Sequence, residues 1–115
     1  IVVVVLPGGA DTHHMIEAQA LSALRPHAVV VNIARGDVID EAALIAALSA
    51  GQIAGAGLDV YEHEPLVPQA LKDMQNVTLL PHMGTSTLEV RLDMGVMAVA
   101  NLTALANGHD LPNQV

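Results

Sequence analysis

A chain of 115 residues suffices for one compact domain and no more, since a chain of that size buries about two-thirds of its unfolded surface. With 52% hydrophobic and 14% charged residues it is not disordered, and with 1% aromatic residues its core has to be aliphatic, built from Ala, Val, Leu, Ile and Met. A net charge of -8 argues against nucleic acid and against an anionic membrane surface, while the absence of cysteine removes disulfides, thiolate metal sites and cysteine nucleophiles and suits a reducing, cytoplasmic setting.

The run Ile1 to Leu6, closed by Pro7-Gly8-Gly9, has the pattern of a strand buried on both faces and followed by a turn. It is too short to cross a bilayer and no basic segment precedes it, so it is neither anchor nor signal peptide, and its abrupt start reads as an internal cut. Asp11 or Thr12 caps a short turn, and Glu17 to Leu24 predicts a helix that Pro26 stops. His27 to Ala34 repeats the strand signal. Asp40 then caps a helix with Leu44, Ile45 and Leu48 on one face, ended by Gly51. Ile53 to Val60 is a third strand, in which Gly55 and Gly57 mark places where a helix or cofactor packs close. His63 to Met74, interrupted by Pro65 and Pro68, reads as an ordered loop. Val77 to Leu80 is the fourth strand. A long helix follows from Thr85 or Ser86 toward Gly108, its stripe of Met94, Met97, Leu102 and Leu105 suited to a core or a subunit contact.

Strands alternating with helices of about ten residues predict an α/β fold, here half of a doubly wound, Rossmann-type parallel sheet. Ligands of such sheets sit at the carboxyl ends of the strands, and the polar groups collect there. Arg35 closes the second strand, where a guanidinium either clamps an anionic ligand through two parallel hydrogen bonds or is held at a surface turn by Asp37 or Glu41. His82 lies between Pro81 and Gly84 and is either a proton donor or a structural histidine. Glu64, extended by Pro65, is either a solvated acid or a carboxylate that orients an imidazole and favours its protonated form. Asp59 ends a Gly-rich apolar strand and needs a donor, either a ligand group or nearby backbone amides. No metal site is expected: His13 and His14 are adjacent and cannot both face one ion from a helix, and neither they nor His63 have spaced carboxylates.

In their order, strand-N-x-A-R-G (Val31 to Gly36), G-L-D-V-x-x-x-E-P (Gly57 to Pro65) and L-L-P-H-x-G-T (Leu79 to Thr85) resemble the D-2-hydroxyacid dehydrogenase family along essentially the whole chain. The resemblance implies the carboxyl-terminal part of an NAD- or NADP-binding domain spanning residues 1–115. It implies Arg35, Glu64 and His82 as catalytic residues: a carboxylate clamp, a helper of the proton donor, and the proton donor itself. It further implies that Pro7, Thr12, Ile33, Ala34, Arg35, Asp59, His82, Gly84 and Thr85 line the cofactor, with Asp59 on the nicotinamide carboxamide. The substrate would be a small 2-oxo or 2-hydroxy acid and the intact enzyme a homodimer. Leu6-Pro7-Gly8-Gly9 and Leu79 to Thr87 look most like glyoxylate or hydroxypyruvate reductases. Phosphoglycerate, D-lactate and formate dehydrogenases of the same family are alternatives, as is a nonenzymatic, dinucleotide-sensing relative of corepressor type.

Missing from the sequence are the G-x-G-x-x-G fingerprint and the acidic residue about twenty positions after it that selects NAD over NADP. The polypeptide by itself is therefore expected to be catalytically inert, and the raw apolar strand at its start is expected to make it aggregate or pair with the missing half of the sheet.

Overall fold

In the computed structural model, which describes residues 1–114, strands Val2–Val4 (β1), Val29–Asn32 (β2), Gly55–Leu58 (β3) and Val77–Leu79 (β4) run parallel in the order β1-β2-β3-β4. Helices Ala18–Ser22 (α1), Glu41–Ser49 (α2) and Gln69–Asp73 (α3) fill the three crossovers, and Leu88–Ala106 (α4) follows the last strand. The register pairs Val2 with Val30, Val30 with Ala56 and Ala56 with Val77. All four carboxyl ends therefore lie on one edge of the sheet, the edge that carries Pro7, Arg35, Asp59 and His82. The chain divides into two compact units, Ile1–Met83 with the whole sheet, and a second unit beginning at Gly84 and containing α4.

The core of the first unit is aliphatic, as the composition requires. Leu21 of α1, Val30 of β2, Leu44 of α2, Ile53 and Leu71 of α3 are at most 1% exposed, and Val4, Leu48, Ala56 and Leu58 pack with them. Each such side chain contributes about 1.5–3 kcal/mol by leaving water. α2 begins where Asp40 Oδ1 accepts from Ala43 N at 3.0 Å, and it ends at Ser49, two residues before Gly51, whose φ of +64° a side chain would disfavour.

The fold class, the four strands and the long helix stand as read from the sequence, and the differences have local causes. Each strand is shorter than its apolar run, because pairing ends where the chain turns off the sheet: Val5 and Leu6 are 67% and 38% exposed and already line the cleft beyond β1. The segment from His63 to Met74 is not all loop. Pro68 opens the one-turn helix α3, and Leu71, completely buried, pins it to the core. α4 starts later than expected, at Leu88, because Thr87 Oγ1 accepts from Val90 N at 3.3 Å and so caps it. Its stripe of Met94, Met97, Leu102 and Leu105 is about half to two-thirds exposed, and no residue of α4 is buried. Gly55 does mark a close approach, but of the next strand: an added Cβ would lie 2.5 Å from Asn76 O. Gly57 meets only Val31 at ordinary contact distance. Among the described residues no helix is long and apolar enough to cross a membrane.

Candidate active site

The turn after β2 is shaped by Asn32, which is 1% exposed and fully satisfied. Its Oδ1 accepts from Ala34 N at 3.0 Å and its Nδ2 donates to Arg35 O at 2.9 Å, so one buried amide folds the N-x-A-R segment back on itself. The following residue, Gly36, lies against the loop after β3. A Cβ there would sit 1.9 Å from the Tyr61 carbonyl carbon and 2.4 Å from Glu62 N, so no other residue fits without moving that backbone. Arg35 and the Tyr61–Glu64 loop are thereby held side by side.

Arg35 is exposed at the sheet edge. Its Nη1 donates to Ala34 O at 2.7 Å, and its stem lies on Gly8, where a Cβ would come within 2.9 Å of Arg35 Cγ. Among the described residues its guanidinium pairs with no carboxylate: Asp37 and Glu41, the partners of the bland alternative, do not bridge to it. The guanidinium thus retains donors for an external anion.

Glu64 and His82 meet directly. His82 Nδ1 lies 2.8 Å from Glu64 Oε2, and Glu64 Oε1 accepts from Tyr61 N at 3.0 Å, so both carboxylate oxygens are engaged. Partial burial pushes the Glu64 carboxyl upward, but the bonds from His82 and Tyr61 N and the charge of Arg35 outweigh it and hold it below the ordinary 4.5. His82 has a φ of +50°, in the left-handed region that costs a residue with a β-carbon about 1–2 kcal/mol. Non-glycine residues persist there when their surroundings over-determine them, and such residues cluster at functional sites. Two contacts supply the constraint here. Tyr61 Oη donates to Leu80 O at 2.7 Å, fixing the end of β4, and Met83 N donates to Asp59 Oδ1 at 2.8 Å, fixing the residue after His82. With Nδ1 committed to Glu64, Nε2 is the ring nitrogen left for a ligand. Beside it a cleft of about 180 Å³ is lined by Tyr61, Glu64, Pro65, Val67, Pro81 and His82.

Asp59 is 7% exposed, and its bond to Met83 N corresponds to the backbone-capping alternative of the sequence reading. A second, open cleft of about 730 Å³ runs along the ends of β1 and β2, lined by residues that include Pro7, Gly8, Gly9, Ile33, Ala34 and Arg35. Ile33 offers it an apolar face, 56% exposed, and the Gly8-Gly9 turn offers it bare backbone. Thr12 supports that turn by donating from Oγ1 to Pro7 O at 2.8 Å. An exposed aliphatic surface bordered by side-chain-free backbone suits the flat, partly apolar body of a dinucleotide. Gly84 and Thr85 belong to the second unit.

Asn32 and Tyr61 escaped the sequence reading as positioning residues. Both had a signal there: a polar residue ending an apolar strand, and the one aromatic residue in the chain, placed between Asp59 and Glu64. The metal expectation is corrected in its premise. His13 and His14 occupy a turn, not a helix, and the ligand atoms of His13, His14 and Glu62 lie within 4.8 Å of one another. His14 Nε2 is 2.8 Å from Glu62 Oε1, and this bond is the main cause that raises the His14 pKa above 6.5.

Residues 1–84 match the family described as the D-isomer specific 2-hydroxyacid dehydrogenase, NAD binding domain. The chain is 46% identical over 114 residues to a glyoxylate reductase of Thermococcus onnurineus, covering 99% of this chain and 34% of that protein. It is 47% identical over 113 residues to glyoxylate/hydroxypyruvate reductase B of Pectobacterium carotovorum, covering 97% and 35%. Among solved structures, an NADPH-dependent glyoxylate/hydroxypyruvate reductase of Sinorhizobium meliloti in complex with NADP and malonate superposes with a TM-score of 0.95 at 45% identity, covering 98% of this chain and 35% of that one. The holo form of Rhodotorula graminis D-mandelate dehydrogenase gives 0.89 at 37% identity, covering 98% and 33%. The chain thus spans about a third of the length of the relatives it matches. On the extent of that match and the identity of its relatives, the chain belongs to the D-isomer specific 2-hydroxyacid dehydrogenase family and to that family's NAD-binding domain.

Proposed function

We propose that the full-length protein is an NAD(P)-dependent oxidoreductase that reduces a small 2-oxo acid of the glyoxylate or hydroxypyruvate type to the D-2-hydroxy acid. The observation that carries this is the 2.8 Å contact of Glu64 Oε2 with His82 Nδ1, beside a cleft that both residues line. The names of the relatives supply the substrate class. A reduced nicotinamide, when bound, supplies hydride to the carbonyl carbon. Pro7, Thr12, Ile33, Ala34 and Arg35 along the larger cleft would hold that cofactor, with Asp59 assigned to the carboxamide. Gly84 and Thr85 join the assignment by resemblance alone.

This chain's residues do the remaining work. Arg35 binds the substrate carboxylate as a two-pronged donor. The Nε2–H of His82 donates to the keto oxygen and gives up its proton as that oxygen gains charge. Glu64 fixes the ring and its orientation before transfer. In the oxidative direction neutral His82 takes the hydroxyl proton, so oxidation should prefer higher pH than reduction.

The full-length protein should oxidise NADPH or NADH when given glyoxylate or hydroxypyruvate, followed by the loss of absorbance of the reduced cofactor. Binding of dinucleotide without turnover of any 2-oxo acid would leave a sensor, not an enzyme. The Glu64–His82 pair makes a separate prediction about pH. Because the carboxyl pKa is lowered in the fold, the stabilisation from this pair is present above 4.5 and is lost only as pH falls through the depressed value. Carbon NMR of the Glu64 carboxyl should give a midpoint below 4.5 that moves upward in His82→Ala. A midpoint that ignores the substitution would mean that the pair does not form in solution.

A further inference from the structure

His13 and His14 stand in the turn after β1, and Glu62 lies in the loop after β3, two residues before Glu64. We propose that His13, His14 and Glu62 form a binding site for a divalent transition-metal ion of the zinc class, which ties the turn after β1 to the loop after β3.

The geometry comes first. Neighbouring residues on a helix point about 100° apart, which would separate the two imidazoles. Here the chain turns, His14 takes a φ of +50°, and the two rings stack with centroids 4.0 Å apart at 25°. One ligand atom from each ring and one Glu62 oxygen then fall within 4.8 Å of one another. Bond lengths of about 2.0–2.2 Å to zinc need donors roughly 3–4 Å apart, so the ion takes the place of the proton between His14 and Glu62, now 2.8 Å apart, as that pair opens slightly and the exposed His13 ring turns in.

An ion pair between His14 and Glu62 accounts for only part of this arrangement. It explains those two residues and leaves His13 stacked on His14 with no hydrogen bond of its own side chain among the described residues. The surroundings favour a cation. Asp37 and Asp40 both act on His14 electrostatically, and the whole chain carries a net charge of -8. Glu62 is also supported from behind, as ligating carboxylates are: Glu41 N donates to its Oε2 at 3.3 Å, leaving Oε1 toward the imidazoles. Two imidazole nitrogens and one carboxylate oxygen suit zinc, nickel or copper rather than calcium or magnesium, which take oxygen ligands. Three protein ligands leave a fourth position for water.

Zinc chloride is titrated calorimetrically into the tag-free full-length protein at about pH 8, where protons compete little for the imidazoles. Cobalt(II) chloride is titrated in parallel, and its visible absorption reports the coordination geometry. One ion should bind per chain with a micromolar dissociation constant. His13→Ala should weaken binding by at least about tenfold, since losing a group that merely supports a ligand already costs on the order of 10- to 100-fold. Glu62→Gln should weaken it likewise, and His27→Ala, at an exposed position elsewhere, should not. His13 is exposed and its side chain makes no hydrogen bond among the described residues, so unchanged circular dichroism of His13→Ala without metal will show that its fold is intact. No saturable binding, or binding that His13→Ala and Glu62→Gln leave unchanged, overturns the proposal. Turnover is not a readout here, so neither result depends on the function proposed above.

Discussion

In the full-length protein, His82→Gln is expected to lower kcat for 2-oxo acid reduction by about 10²- to 10⁴-fold, the usual contribution of a positioned general acid. Cofactor affinity should stay nearly intact, although His82 is among the residues expected to line the cofactor. Glutamine is the informative choice because its amide can still donate to Glu64 Oε2, where His82 Nδ1 now sits at 2.8 Å. The loop after β4 also keeps its two other fastenings, Tyr61 Oη to Leu80 O and Met83 N to Asp59 Oδ1. The variant therefore retains shape and loses only the group that can release a proton at neutral pH. Steady-state kinetics and a fluorescence titration with reduced cofactor separate the two effects. If turnover remained near normal while the cofactor bound as before, His82 would have no part in proton transfer. If cofactor binding collapsed together with turnover, the residue would be holding the site together.

The four-stranded parallel sheet was legible because its signals are redundant. Each strand is a mostly apolar run, each crossover helix but one has a cap or a stop, and Asp40 and Gly51 bound α2 as their chemistry requires. Arg35, Glu64 and His82 were legible in kind, as polar groups placed where α/β sheets bind ligands, but their pairing was not. Glu64 and His82 are 18 residues apart, and only the parallel register of β3 and β4, together with the left-handed backbone at His82, brings them to 2.8 Å. The failures share one cause, which is that local pattern cannot report an approach between distant segments. Gly36 reads as an ordinary turn glycine, yet its side of the backbone is filled by Tyr61. His13 and His14 look divergent on the assumption of a helix, yet a positive φ at His14 stacks them and a loop 48 residues away supplies the carboxylate. α3 was missed because a one-turn helix directly after two prolines shows no period. Its one anchoring residue, Leu71, becomes meaningful only when the core it enters is known.

Arg35→Lys carries the second large effect, and it falls on substrate binding. Lysine keeps the charge but replaces a planar fork with a single ammonium, so one charge-assisted hydrogen bond to the substrate carboxylate is lost. At about 1.5–3 kcal/mol for such a bond, KM for the 2-oxo acid should rise roughly 10- to 100-fold. A structural arginine would behave differently. The guanidinium pairs with no carboxylate among the described residues, and it donates to its neighbour's carbonyl, Ala34 O. The stem that lies on Gly8 is retained in large part by lysine. The melting temperature should therefore barely move while KM rises. Arg35→Ala should raise KM further, because the charge is lost as well. The loss of Arg35 also removes one of the influences that hold the Glu64 carboxyl below its ordinary range, so the Glu64 midpoint should climb in Arg35→Ala and stay lower in Arg35→Lys. Kinetics and carbon NMR on the same two variants thus test the clamp and its coupling to the proton-donor pair independently. A KM that both substitutions leave unchanged removes Arg35 from the substrate site, whatever the carboxyl titration shows.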